Sequence, residues 1–316
     1  NFLHEDIKQA CICIGTFVDG KILTQWLGKN ALTKAQFWSA TKIVPLINTV
    51  CQVNIKYPNC DIDNCAIRDG DGQQDDIYFY DLAKDMVSYT ENIASSNSLA
   101  AMFKRFETRI GLEQWLKKTT GNNDLNFLDD YGEDPFLENP EIFDTIKQQV
   151  LLRAAENSPQ EDNLVSAYDL TRLISMLGWH YYLEQRSRLR GAQWNSLKSI
   201  VRAMGNDTAR YADAAIKTLG MDSAISSPVI ISKLGQGVSS IRGTVETVYV
   251  ALVRFVDDRP KATGKPAKLR TLALTLRGQK AIYSSSNGDS EARELDARVA
   301  AEVTEILRRL FAEEFS

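Results

Sequence analysis

Residues 36–50 read "QFWSATKIVPLINTV". Ser39 stands three positions before Lys42 at the mouth of an apolar run in which Phe37, Val44, Leu46, Ile47 and Val50 mark a helix. Three residues make nearly one helical turn, so the serine and the lysine can meet on one face. A lysine desolvated there holds its proton less tightly and can serve as base to the serine. The same "WSATK" is also an ordinary helix start with Ser39 as cap, and roughly one S-x-x-K is expected by chance in a chain of this size. Pro45 falls early in the helix, a position where proline can bend the axis.

The chain has 316 residues, 44% of them hydrophobic, enough to bury a large core in two domains or one large two-part domain. With 37 basic against 41 acidic residues the formal charge is −4, without the broad basic field of a general nucleic-acid binder. No apolar run of about 18 residues occurs, so no membrane span is expected. The sequence begins at Asn1 with neither an initiator Met nor a signal peptide and reads as a mature or trimmed fragment. The two histidines, His4 and His180, argue against a Ser-His-Asp triad or a multi-histidine metal site, and His180 in "GWHYY" reads as packing among aromatics. Cys11, Cys13, Cys51, Cys60 and Cys65 form an odd set that leaves at least one thiol unpaired in a monomer. Cys60 and Cys65 flank the polar turn "CDIDNC" and could be bridged in an oxidising compartment, whereas Cys11 and Cys13 share a strand face and read as small buried apolar groups.

Alternation from Ile7 to Leu23, broken by the turn pair Asp19-Gly20, predicts an N-terminal hairpin. The middle, Cys51 to Gly220, reads as mainly helical. Leu99, Met102, Phe103, Phe106 and Ile110 recur at helical spacing, and a second helix runs through "SAYDLTRLISMLGWHYYL" with Ser166 and Asp169 as a capping pair. "DLNFLDDYGEDPFLENPEIFD", with Pro135 and Pro140, reads as a long ordered loop or lid. Strands return in "SPVIISKLG", "GTVETVYVALVRFV" and "LRTLALTLRG", and a closing helix carries Leu295, Val299, Val303, Ile306 and Leu310 after the cap candidates Asp289 and Ser290. The expected class is α+β: an antiparallel sheet built from both termini with flanking helices, plus an inserted helical lobe. Residues 1–50 and 221–316 would form the sheet lobe with its terminal helix, and 51–220 the helical lobe.

Two further motifs take up the question that "WSATK" leaves open. "IASSNSLAAMF" places Ser95-Ser96-Asn97 directly ahead of a helix, and "VIISKLGQG" places Lys233-Leu234-Gly235 at the end of a strand. The order S-x-x-K, S-x-N, K-x-G, in these contexts, resembles the penicillin-recognising serine hydrolase superfamily: serine β-lactamases, D-alanyl-D-alanine carboxypeptidases and other penicillin-binding proteins. The resemblance covers essentially the whole chain at the level of element order. Ser285-Ser286-Asn287 also matches S-x-N, but it follows the last predicted strand and is out of order. The resemblance implies a β-lactamase/transpeptidase-like fold and acyl transfer through a serine acyl-enzyme. It makes Ser39 the nucleophile and Lys42 its base. Ser95 would relay a proton toward the leaving amine, and Asn97 would hold the substrate amide and orient Lys42. Lys233 would supply positive charge near Ser95 and the substrate carboxylate. Gly235 would let the substrate backbone lie close to the strand, and the backbone N–H groups of Ser39 and Gln236 would form the oxyanion hole. No metal or cofactor is called for. The implied ligands are a peptidoglycan-like peptide or a β-lactam, and the implied location is the periplasm or cell envelope. The plain alternatives are capping roles for Ser39, Ser95 and Asn97 and a solvated strand end at Lys233.

The pattern departs from the superfamily in two places. Many members carry Thr or Ser in the middle of K-x-G, where the hydroxyl helps bind a substrate carboxylate, but this chain has Leu234. Arg242 or Arg254, on or near the following strand, could compensate, but each reads first as an exposed structural arginine. The E-x-x-L-N loop that supplies the deacylating glutamate of class A β-lactamases is missing. Glu138 and Glu141 lie in the corresponding region and read as solvated charge, so no deacylation base is assigned. An enzyme that acylates readily and deacylates slowly therefore ranks above an efficient β-lactamase. A catalytically weak member that binds cell-wall peptide or a protein partner is the alternative. The acidic turn "DIDNCAIRDGDGQQDD" offers Asp61, Asp63, Asp69, Asp71 or Asp75 to a calcium ion, but lacks the closing glutamate of a twelve-residue calcium loop.

Overall fold

The computed structural model describes residues 2–72, 75–155, 162–283 and 288–315. The out-of-order Ser285-Ser286-Asn287 lies outside them. The chain divides into two compact units, Asn1–Thr33 with Ser166–Ser175 and Ala209–Ser316, and Lys34–Val165 with Met176–Thr208. The helix that opens with "WSATK" belongs to the second unit rather than to the one holding the N-terminal strands.

The first unit is built on a five-stranded antiparallel sheet in the order Ile225–Ser239, Thr244–Asp257, Lys268–Ala281, Ile7–Val18, Lys21–Lys29. The hairpin turns at Asp19 (φ 49°) and Gly20 (φ 76°), and Val18 pairs with Lys21. Two successive positive φ values are what a two-residue turn needs to follow the strands' twist. The first strand pairs with the last, Ile12 opposite Leu274, which joins the two ends of the chain. One face carries Ile12, Ile14, Tyr249, Val253, Leu272 and Leu274, and it packs against Val299, Val303, Ile306 and Leu310 of the closing helix Asp289–Phe311. On the other face Thr171 donates to the Thr275 hydroxyl (2.8 Å), beside the buried thiols of Cys11 and Cys13. Burial pushes the Cys11 thiol up to about 12, as expected of a packing rather than a reactive cysteine. A sheet buried on both faces explains why its inner strands read as nearly unbroken apolar runs.

The second unit carries the helices Ile43–Lys56, Phe79–Ser88, Ser96–Lys104, Arg109–Thr120 and Trp194–Met204. The apolar periodicity around Phe103 does not make one helix. It breaks after Lys104, and Thr108 caps a new helix by accepting from Gly111 N (3.0 Å), which leaves Ile110 55% exposed. The unit also contains small sheets where the sequence showed only loops. Cys65–Asp69, Ile77–Tyr78, Pro140–Asp144 and Gln149–Arg153 form one, so the expected lid is partly strand. Segments of two to five residues are too short to display a period, and only their partners define them as strands.

Other expectations change in detail. The Ser166/Asp169 pair forms: Asp169 accepts from Ser166 N (2.9 Å) and Oγ (2.7 Å), and Ser166 Oγ accepts from Asp169 N (3.2 Å). The closing helix is capped by Gly288 (φ 74°) instead of Asp289 or Ser290, with Asp289 and Glu291 in its first turn, where negative charge suits the helix dipole. Cys60 and Cys65 are thiols with sulfurs 3.5 Å apart. Asp61 accepts from Lys198 (3.1 Å) and Asp63 from Arg202 (2.8 Å), while Cys65–Asp69 is a strand. Among the described residues no group of three or more His, Cys, Asp or Glu is placed to hold a metal ion. Nor is any helix among them long and apolar enough to cross a membrane.

Candidate active site

Ser39 enters the second unit in a tight 3₁₀ turn, Trp38–Lys42, that runs directly into the helix Ile43–Lys56. Trp38, immediately before the serine, has φ +50°. A bulky residue in that region is strained, and such strain persists only where the surroundings over-determine it. Here Phe37 is fully buried, and Thr41 donates back to Trp38 O (2.8 Å) and to the Tyr131 phenol (3.3 Å). Pro45 sits in the first helical turn, where the missing N–H has no intrahelical partner to lose.

Lys42 is 1% exposed. Its Nζ donates to Ser96 Oγ (2.8 Å) and to Asn97 Oδ1 (2.6 Å), and the rings of Tyr89 and Tyr131 each lie 5.6 Å away, centroid to Nζ. Burial brings the ammonium down to about 7, against the opposing pull of the Glu133 carboxylate. Lys42 is thus poised to take up or give up a proton near neutrality. Ser39, half-buried, is hydrogen-bonded to the Tyr89 phenol, which burial holds well above the usual tyrosine range.

The stretch leading into S-x-N is fixed by Asp85, 3% exposed, which accepts from Ile93 N (2.8 Å), Asn92 N (3.2 Å) and Thr90 Oγ1. Burial alone would raise its carboxyl, but these donors outweigh it and hold it low. Beyond the turn the two serines part. Ser96 is buried, accepts from Lys42 and donates to Met86 O (2.6 Å). Ser95 caps the helix Ser96–Lys104 by accepting from Ser98 N (3.1 Å), and its hydroxyl donates to Glu133 Oε2. Asn97 bridges the groups: its Oδ1 faces Lys42, and its Nδ2 donates to Glu133 Oε1 (3.1 Å).

The segment bearing Tyr131 and Glu133 is held by buried cations. Lys104, fully buried, donates to Asp129 O and Asn163 Oδ1 (3.0 Å) and lies 3.9 Å from the Phe127 ring centroid, while Arg109 pairs with Asp130. The glutamates singled out by sequence are engaged elsewhere. Glu138 pairs with Arg105, and Glu141 is 4% exposed, bonded to Arg68 (3.0 Å) and Arg153, so it is a buried structural ion pair instead of solvated charge.

The K-x-G stretch belongs to the first unit, on the edge strand Ile225–Ser239. Lys233 is fully buried and donates to Leu234 O (3.1 Å). Leu234 packs against the sheet's hydrophobic core, and Gly235 pairs with Val248. Gln236 approaches Asp296 (3.4 Å). Arg242 is engaged by Glu246 (2.8 Å), and Arg254 lies over the Phe17 ring. Burial pushes the His180 imidazole down to about 4, in keeping with a packed residue.

The structure therefore joins Lys42 with Asn97 and puts Ser96, rather than Ser95, beside the lysine. Ser96, Tyr89, Tyr131 and Glu133 escaped sequence reasoning. Ser96 was inside the quoted motif, and Glu133 was in the acidic stretch between Phe127 and Phe136; neither carries a local signal that separates it from its neighbours.

No protein-family model matches the sequence, and no curated protein matches it. Solved structures do. A β-lactamase from Streptosporangium roseum superposes with a TM-score of 0.50 at 12% identity, over 97% of this chain and 94% of the other. A peptidoglycan synthetase from Bifidobacterium adolescentis gives a TM-score of 0.40 at 10% identity over 97% of this chain and 57% of that one. The D,D-transpeptidase domain of a peptidoglycan glycosyltransferase from Eggerthella lenta gives 0.40 at 10% identity over 96% and 79%. The first of these establishes a likeness of fold. The chain has a β-lactamase-like fold.

Proposed function

We propose that this protein is a serine acyl-enzyme hydrolase or transferase acting on a peptide-like amide or a β-lactam, with Ser39 as nucleophile and Lys42 as base. The observation that carries this reading is the setting of Lys42. It is buried, three residues after Ser39, between two tyrosine rings, and fixed by Ser96 and Asn97. Neutral Lys42 takes the Ser39 proton as Oγ attacks the carbonyl carbon. The backbone N–H groups of Ser39 and Gln236 receive the oxyanion. The proton passes to the leaving amine as the C–N bond breaks, through Ser96, which touches Lys42, or through Ser95, which the motif order designates. Water or an amine then cleaves the ester and restores Ser39. Roles for Lys233, Gly235 and Gln236 rest on the K-x-G motif alone. With the superfamily resemblance go a cell-wall peptide substrate and an exported location.

A second reading, a catalytically weak protein that binds cell-wall peptide or a protein partner, draws on Leu234, whose partly buried side chain packs against the core and has no hydrogen-bond donor for a carboxylate. Incubation with a reporter penicillin and an activated ester, followed by intact mass and peptide mapping, decides between them. An enzyme gains one acyl mass on Ser39 and loses it in Ser39→Ala. Labelling elsewhere, or none with either reagent, sinks the enzymatic reading.

A further inference from the structure

We propose that Glu133 is the specificity-determining residue of this site and selects acyl donors bearing a free ammonium group next to the scissile carbonyl. The inference rests on the serine acyl-enzyme reading and deepens it by naming the substrate class.

Glu133 is exposed, yet both carboxylate oxygens are fixed, Oε2 by the Ser95 hydroxyl and Oε1 by Asn97 Nδ2. A carboxylate offers about four acceptor positions, so two bonds leave lone pairs for a ligand. Its position is defined by the chain of contacts Lys42–Asn97–Glu133–Ser95, which puts a full negative charge one side chain away from the base. Two other acidic groups of the segment are answered by protein cations, Asp130 by Arg109 and Glu138 by Arg105. When Lys42 is neutral, as the reaction requires, Glu133 is the formal charge left within this cluster.

That arrangement separates two kinds of acyl donor. A donor whose amine is acylated presents a carbonyl oxygen, which takes the second Asn97 Nδ2 hydrogen only by lying against the Glu133 carboxylate, acceptor facing acceptor. A free ammonium has three hydrogens and no lone pair, and it takes the unused acceptor positions of Glu133 without disturbing Asn97. The substrate class is therefore an aminoacyl amide or ester. Ser39 Oγ forms the ester as the C–N or C–O bond breaks, the Ser39 proton leaves with the amine or alcohol, and water releases the free amino acid.

The test compares alanine p-nitroanilide with N-acetylalanine p-nitroanilide, in both enantiomers at pH 7, on wild type and Glu133→Gln. Titration of Lys42 affects both probes alike and cancels in the ratio. Wild type should favour the free amine by about tenfold or more in kcat/KM, and Glu133→Gln should erase most of that preference, as expected for loss of a charge-assisted bond. A preference that survives in Glu133→Gln, or a wild type that favours the acetylated probe, overturns the proposal. So does an equal loss of turnover on both probes, which would assign Glu133 to water activation instead. Ser39 labelling of Glu133→Gln by a neutral activated ester shows that the variant is folded and competent. Failure of every donor to label wild-type Ser39 would defeat the underlying reading, and this inference with it.

Discussion

Two lysines of the second unit invite comparison. Lys42 and Lys104 are 1% and 0% exposed, each donates to an asparagine Oδ1, and the Tyr131 ring lies 5.6 Å from one Nζ and 5.0 Å from the other. Burial lowers both. Their second influences differ. Arg109 pushes Lys104 further down, whereas Glu133 pulls Lys42 back up. Their partners differ too: Lys104 is tied to a backbone carbonyl in a closed pocket, while Lys42 shares a helical turn with the half-buried Ser39. Desolvation alone does not mark a catalytic base. A hydroxyl within one turn, and a nearby charge that acts on the proton affinity, are what single out Lys42 as the candidate base.

The widest separation should come from removing each amine. Lys42→Met should cut the rate of Ser39 acylation by about 10³-fold, within the range for loss of a general base, and remain folded. Lys104→Met should keep the rate within about tenfold and lose about 1–3 kcal/mol of stability, because the Asp129 carbonyl and Asn163 lose a donor. Burst kinetics with an activated ester and chemical denaturation give both numbers, and equal losses of acylation would dissolve the distinction.

The next effect is on pH. Acylation needs neutral Lys42, so its rate should rise about tenfold per unit up to a plateau above about pH 7. Glu133 favours the ammonium form, so Glu133→Gln should move that midpoint to lower pH. A midpoint that stays fixed or rises in a stopped-flow pH series would show that Glu133 does not act on Lys42.

Stability should carry the same signature. The folded-state value of Lys42, about 7, lies below the ordinary lysine value of 10.5. Between the two values the unfolded chain binds more protons, so this group makes the protein less stable as pH falls from 10.5 toward 7, with the full penalty below. The cost is about 2–5 kcal/mol, at about 1.4 kcal/mol per unit. Wild type should therefore gain on Lys42→Met in thermal melts as pH rises through that window; parallel curves would place the lysine in a wetter site.

The smallest effect separates the adjacent serines. Ser95→Ala should cost about 1 kcal/mol as a lost cap. Ser96→Ala should instead slow acylation by freeing Lys42. Exchange of these outcomes, read by melting and by burst rate, would restore Ser95 as the residue facing the base.

Much of the fold was legible because its elements carry long-period signals. The strands Thr244–Asp257 and Lys268–Ala281 and the closing helix are fourteen residues or more, long enough for alternation or helical spacing to show. The small sheet of Cys65–Asp69 with Pro140–Asp144 was not, since five-residue strands bracketed by turns and prolines look like loops until paired. The helix break at Lys104 was hidden because Phe103, Phe106 and Ile110 keep their spacing across it, and only the Thr108 cap reveals the new start.

By itself, the sequence determined the order of the three motifs, the pairing of chain ends into one sheet, and the scarcity of histidine that makes lysine the candidate base. The tertiary structure decided which hydroxyl of Ser95-Ser96 meets Lys42, which acidic residue stands beside them, and that Leu234 packs against the core. Those outcomes depend on contacts between groups 54 positions apart, as for Lys42 and Ser96, or 36, as for Asn97 and Glu133. No local periodicity encodes such contacts. They follow from how the helices pack and where the buried cations Lys104 and Arg109 pin an otherwise featureless acidic segment.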